Sequence, residues 1–274
     1  MSVATVQKER SDLRELARVF FVGGLISYRA LFNWINPGTY LTTMLGAPLF
    51  QILFFTYLGR YAGSQDDDFF IVGNAIQVSA QAGIYGMTMG IANERQYGTL
   101  QPLLATPANR LAMFSGRALP FIANGLIVST FGFCVAWLFL DFSPAPGSIP
   151  PLAVAVVITT CSCVALGMVI GSIGLRARDV FFGANLVYFL MLLVCGVNIA
   201  NEDLPNWLGA IGRCLPLTHG IEAAREIVAG SSLSDVSGLL ATEALIGLLY
   251  ATAAYTLFRV FEAEGRRRAS LETY

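Results

Sequence analysis

Hydrophobic residues in this chain come in long unbroken runs, unlike the alternation of half-buried strands or the one-sided stripes of soluble helices. Four stretches, residues 38–59, 69–92, 118–140 and 180–201, contain no charged side chain. A fifth run covers 142–175, but its opening Ser143-Pro144-Ala145-Pro146-Gly147-Ser148 is turn-like, so the helix starts near Pro151. A sixth, within 237–259, is apolar apart from Glu243 near one end and Arg259 at its close. A bilayer core of ~30 Å needs roughly 20 apolar residues at ~1.5 Å each. The pattern therefore predicts an all-α membrane protein with six transmembrane helices, at about residues 38–60, 69–92, 115–140, 151–175, 180–200 and 237–259.

Two further segments have a different pattern. In residues 10–34, Arg10, Arg14 and Arg18 recur every four positions while Leu13, Leu16, Val19 and Phe20 fill another face, and Ser11 or Asp12 supplies an N-cap. This is an amphipathic helix, lying in the membrane interface or folded as an ordinary soluble helix. Residues 201–236 carry Leu204, Trp207, Leu208, Ile211, Leu215, Leu217, Ile221 and Ile227, too apolar for a free loop, and are broken by Pro205, Pro216 and Gly230. Short helices that dip into the outer leaflet or cap the bundle satisfy that pattern and keep the backbone hydrogen-bonded. Within the spans, Gly86…Gly90 and Gly167…Gly171 are small-xxx-small motifs, which first of all mean close helix packing.

Composition agrees with a lipid solvent: hydrophobic residues are 55%, charged residues only 13%, and mean hydropathy is +0.62. Charge placement sets orientation. With a cytoplasmic N-terminus, 14 of the 17 basic residues fall inside, leaving Arg60, Arg213 and Arg225 outside. Both termini are then cytoplasmic, in the inner membrane. The first ~30 residues show no apolar core followed by a small-residue cleavage site, so no cleavable leader is expected. The single lysine, Lys8, lies at the start of the chain, which excludes a Walker A phosphate loop. One histidine, His219, excludes a histidine-based metal cluster within one chain.

Asp66-Asp67-Asp68 reads as a solvated outer loop tip. Cys195 and Cys214 lie near the outer face, where an oxidising compartment permits a disulfide between them; the alternative is that they remain free thiols. Glu243, an ionisable group in a span, is by default a functional candidate. It lies about one turn from the outer end, near enough to reach the interface, so Glu243→Gln is expected to affect transport little. No carboxylate–His–Ser or Cys–His constellation falls within the membrane.

The most specific signal is the cytoplasmic loop after the second span: Asn93-Glu94-Arg95-Gln96-Tyr97-Gly98-Thr99-Leu100-Gln101-Pro102-Leu103-Leu104-Ala105-Thr106-Pro107. A polar entry, a glycine at the bend and Leu100, Leu103 and Leu104 at helical spacing predict a short helix over 94–107, stopped by Thr106-Pro107. Its apolar stripe suits a groove on a partner protein.

This loop resembles the membrane subunits of ABC-2 type transporters, especially the drug-resistance exporter branch, whose hallmark is Glu-x-x-x-Gly-Thr-Leu-x-x-Leu-Leu-x-Thr-Pro. Glu94, Gly98, Thr99, Leu100, Leu103, Leu104, Thr106 and Pro107 match it. Where family members often carry acids flanking the Gly-Thr-Leu, this chain has Tyr97 and Gln101. Leu215-Pro216-Leu217-Thr218-His219 resembles the family's Pro-Leu-Thr segment before the sixth span.

The resemblance implies a type V exporter-like permease without an ATPase site or cofactor of its own. It would work as a homodimer or heterodimer with a second permease, each docked on an ATP-binding subunit that holds ATP and Mg²⁺. Glu94, Arg95, Gly98, Thr99, Leu100, Leu103, Leu104, Thr106 and Pro107 would couple to that subunit. Spans two and five would line a substrate pathway with Gln77, Gln81, Tyr85, Asn185, Tyr188 and Asn198, or these amides simply bond neighbouring helices. Trp207, Pro216 and His219 would belong to an outer gate. An uncharged apolar wall with a few hydrogen-bonding groups suits hydrophobic or amphipathic compounds (drug, antibiotic, peptide or lipid-like), with lipid as surroundings and no nucleic acid partner. The alternatives are a polysaccharide or glycolipid exporter of the same superfamily and, in a different class, an ion-coupled secondary transporter, for which only Glu243 offers an intramembrane charge.

Overall fold

Apolar runs of this length fold as helices because lipid offers no partner for backbone N–H and C=O groups, and a helix satisfies both internally. The computed structural model describes residues 18, 20–25, 38, 41–63, 65–96, 110–174 and 179–268. Among them there are eight α-helices and no strand. These are α1 (Gly46–Ala62, entered through a π-turn at Leu41–Leu45), α2 (Asp67–Gln96), α3 (Arg110–Phe139), α4 (Ile149–Gly174), α5 (Val180–Val194), α6 (Asn206–Cys214), α7 (Thr218–Val228) and α8 (Ser237–Arg268). Three stretches within them are long and apolar enough to cross a membrane: Ser115–Phe139, Pro146–Gly174 and Ser237–Phe261. The chain is thus a multi-pass membrane protein. At 30 residues α2 is long enough too, ~45 Å at ~1.5 Å per residue, but it is diluted by amides.

Helix α4 is the hub, packed most extensively on α2 and α8 and also on α3, α5 and α7. In its apolar stretch 61% of the residues are buried, against 17% in α8, so α4 is the core and α8 a flank of the bundle, with Leu245, Leu248 and Leu249 exposed. The hydroxyls of Thr159, Thr160, Ser162 and Ser172 donate to carbonyls one turn back, which keeps them satisfied inside the helix. Both glycine motifs pack within the chain. The Phe121 ring of α3 sits against Gly86 and Gly90, and Gly167 lets α4 approach α2 so closely that a Cβ there would meet the Ile84 carbonyl oxygen at 2.9 Å. A dimer face is not what these glycines serve here.

Several boundaries differ from the hydropathy pattern. Helix α5 ends at Val194, short of residue 200, and the chain bends through Cys195–Ile199. Gly196 takes a left-handed conformation there (φ 74°). The acidic run is not merely a loop tip: Asp67 opens α2, where the helix dipole favours negative charge, and it pairs with Arg60 at 2.6 Å. Of the amphipathic segment 10–34, residues 20–25 are helical and lie against α3 at Gly116; most of the remainder is outside the described residues. Glu94 and Arg95 fall in the last turn of α2, while Gly98, Thr99, Leu100, Leu103, Leu104, Thr106 and Pro107 lie outside the described residues.

Candidate functional site

A long stripe of polar residues runs along α2. Asn74, Gln77, Gln81 and Tyr85 are spaced three and four apart, so they share one face of the helix. An amide in hydrocarbon must find a partner, and α1 and α5 supply most of them. Tyr85 Oη donates to Asn185 Oδ1 at 2.7 Å, and its ring lies 5.7 Å from that of Tyr188. Tyr188 Oη donates to Gln51 Oε1 at 2.9 Å, and Gln51 Nε2 donates to Asn74 Oδ1 at 3.1 Å. Asn74 Nδ2 in turn donates to Asn198 Oδ1 at 2.8 Å and to the Phe70 carbonyl at 2.9 Å. The result is an uncharged seam through α1, α2 and α5, reaching from Asn185 to the bend after α5.

Four of the six residues expected to line the pathway (Tyr85, Asn185, Tyr188 and Asn198) thus belong to the seam, in two hydrogen-bonded groups that meet where the Tyr85 and Tyr188 rings touch. Gln77 is fully buried beside it, next to Tyr188 but without a well-aligned hydrogen bond, and Gln81 is half-buried on the same face. The linking residues, Gln51 and Asn74, were missed from sequence. Their signal was the same one that flagged Gln77: an amide in a charge-free run.

Beyond the Asn198 end of the seam, α6 and α7 form a hairpin. Here Glu243, expected near the surface, is wholly buried within the chain (0% exposed). Its carboxylate accepts the Leu217 N–H at 2.8 Å and the Gly220 N–H at 3.3 Å, which caps the first turn of α7. Leu217 needs such a hold, because its φ of 100° is a conformation that side chains rarely adopt. Gly220 has no side chain, so the α7 backbone can press against Thr159 of α4. Ser162 of α4 donates to the Glu243 backbone carbonyl at 3.0 Å, so α4, α7 and α8 meet at this point.

The expected gate residues are divided. Trp207 on α6 is 67% exposed. Pro216 is buried in the turn, its carbonyl facing the Cys195 thiol at 3.8 Å. His219 is half-buried in the first turn of α7, and burial pulls its imidazole below the ordinary histidine value, so it is neutral at pH 7. Cys195 and Cys214 are both free thiols.

At the far end of α7, Arg225 donates from Nη2 to the Phe69 carbonyl at 2.8 Å and to the Val197 carbonyl at 3.0 Å, with Nε reaching Phe69 O at 3.3 Å. Its guanidinium carbon lies 3.5 Å from the centroid of the Phe69 ring. Burial pulls this guanidinium down to about 9, so it keeps its charge at neutral pH.

The family profile of the ABC-2 type transporters matches residues 24–229. The probable multidrug ABC transporter permease YbhR of Escherichia coli K12 is 28% identical over 206 residues, which cover 73% of this chain and 54% of that protein. This chain therefore spans about half the length of that relative. The daunorubicin resistance ABC transporter permease protein DrrB1 of Streptomyces coeruleorubidus is 24% identical over 267 residues, covering 85% and 84% of the two chains. A profile covering three quarters of the sequence, over an all-helical bundle with membrane-length apolar helices, places the chain in the ABC-2 type transporter family.

Proposed function

We propose that the chain is the membrane permease of an ATP-driven exporter of hydrophobic or amphipathic compounds, six times through the cytoplasmic membrane with both termini inside. The observation that carries this reading is the seam of α1, α2 and α5: uncharged hydrogen-bonding groups, none of them a proton or ion carrier, set among Phe and Leu side chains. Two such permeases pair, and each rests on an ATP-binding subunit that holds ATP and Mg²⁺. The stretch 94–107 is the coupling helix, with Leu100, Leu103 and Leu104 seated in that subunit. Nucleotide-driven closure of the subunits shifts the pair between inward- and outward-open forms, because substrate and ATP bind the two forms unequally. The hairpin of α6 and α7, with Trp207, Pro216 and His219, closes the outer end. That two relatives are named as multidrug and daunorubicin resistance permeases supports a drug-like substrate.

The test is reconstitution of the chain with its ATP-binding subunit in proteoliposomes, with daunorubicin as probe. ATP-dependent daunorubicin movement and drug-stimulated ATPase activity are expected, and replacing both Leu103 and Leu104 by Asp should uncouple the two while the protein still inserts. A chain that purifies well folded without any ATP-binding subunit, and moves daunorubicin on a proton gradient alone, refutes the reading.

A further inference from the structure

We propose that Arg225 is the latch of the outer hairpin: its guanidinium occupies a slot in α2 and must withdraw before the seam can open outward. This rests on the permease reading above. The slot exists because residue 73 is glycine. A Cβ there would sit 2.8 Å from Nη2 of Arg225 and collide with the Val197 carbonyl oxygen. The floor is the Phe69 carbonyl and the wall the Phe69 ring.

Position gives the latch its role. Gly73 is followed in sequence by Asn74, and Val197 by Asn198, and the bond between Asn74 and Asn198 is the outermost link of the seam. Arg225 bridges the same two segments from above, so while it is seated α2 and the bend after α5 stay together. Its partners are neutral. No carboxylate among the described residues pairs with it, and Glu222, one turn away, is turned to Asn201 at 2.9 Å. Carbonyl contacts of this kind can be exchanged for water at the outer surface, whereas a buried ion pair could not be parted so readily.

The two ends of α7 also differ. Its first turn is pinned by the fully buried Glu243, while Arg225, eight residues or ~12 Å further along, is half-buried. The guanidinium can therefore leave its slot while the wholly buried Ile221, Ala224 and Ile227 keep α7 in place.

The experiment uses the chain with its ATP-binding subunit in proteoliposomes. A single reporter cysteine replaces buried Val197 after the five native cysteines are changed to serine, and labelling by a membrane-impermeant maleimide is measured with and without ATP. In the parent, labelling should be slow and accelerated by ATP. Gly73→Ala, which fills the slot, and Arg225→Met should raise nucleotide-free labelling about tenfold or more, as loss of one charge-assisted hydrogen bond implies, and abolish the ATP dependence. Arg225→Lys, which keeps the charge but not the fork, should fall between. Labelling equal to the parent in Gly73→Ala and Arg225→Lys, both still reconstituting with the subunit, overturns the latch. The permease reading fails separately: it is refuted by a parent that moves no daunorubicin with ATP, whatever the labelling shows.

Discussion

Replacing Glu243 by Leu should loosen the α6–α7 hairpin selectively. The carboxylate is wholly buried and takes two backbone N–H groups, from Leu217 and Gly220, 26 and 23 residues earlier in the chain. Leucine fills most of the volume but accepts nothing, leaving both donors unpartnered in a site closed to water. An orphaned buried donor costs about 1–3 kcal/mol, so the pair implies a loss of about 2–6 kcal/mol. Part is returned, since an ionisable group no longer has to be desolvated. A net loss of about 3 kcal/mol corresponds to roughly a hundredfold more frequent opening of the turn. Glutamine retains one acceptor oxygen but turns an NH₂ toward the second donor, so Glu243→Gln should lose less than Leu yet clearly more than nothing. The assay is hydrogen exchange by mass spectrometry in nanodiscs, comparing a peptide over residues 215–221 with one from the middle of α4. Exchange at 215–221 should rise steeply while α4 stays protected. If Glu243→Leu leaves exchange at 215–221 at the parent rate, the carboxylate does not hold the hairpin and the reasoning fails.

Tyr188→Phe removes the donor to Gln51 and strands that acceptor at the centre of the seam; it should lower thermal stability by about 1 kcal/mol and change the half-maximal concentration for drug-stimulated ATPase activity, and an unchanged drug response would take Tyr188 out of the pathway. Gly167→Ala drives a methyl group against the Ile84 carbonyl oxygen and should lower the unfolding temperature of the single chain in detergent by several degrees; an effect on dimer formation alone would instead move this glycine to an intermolecular face. The exposed Asp235 carboxylate accepts the Ser232 hydroxyl at 2.6 Å and its N–H at 2.9 Å, which hold it below the usual carboxylate value. A lowered folded-state value means that the turn over 232–235 is stabilised above the ordinary carboxylate range and loses that support as pH falls through the folded value. Amide exchange in this turn should show the loss in the parent, while Asp235→Asn should be flat with pH and already loose at neutrality.

What the sequence determined by itself was whatever depends on local sums. Runs without charge mark the helices of a membrane protein because the cost of a charge in lipid is counted residue by residue, and the Glu94–Pro107 stretch carries the family because its residues are contiguous. The side chains of Tyr85, Asn185, Tyr188 and Asn198 were legible for the same reason, being polar in an apolar run. What each polar group does was decided only by the tertiary structure. By position alone Glu243 is a carboxylate near the end of an apolar run and Arg225 one of several charges between apolar runs; the fold brings α7 onto the first and closes the carbonyls of Phe69 and Val197, 156 and 28 residues away, around the second. Helix α5 stops short of its apolar run because the bend after Val194 is held by those same distant partners. Hydropathy is additive along the chain, whereas a buried hydrogen bond belongs to a pair, and the partner is set by how the helices pack.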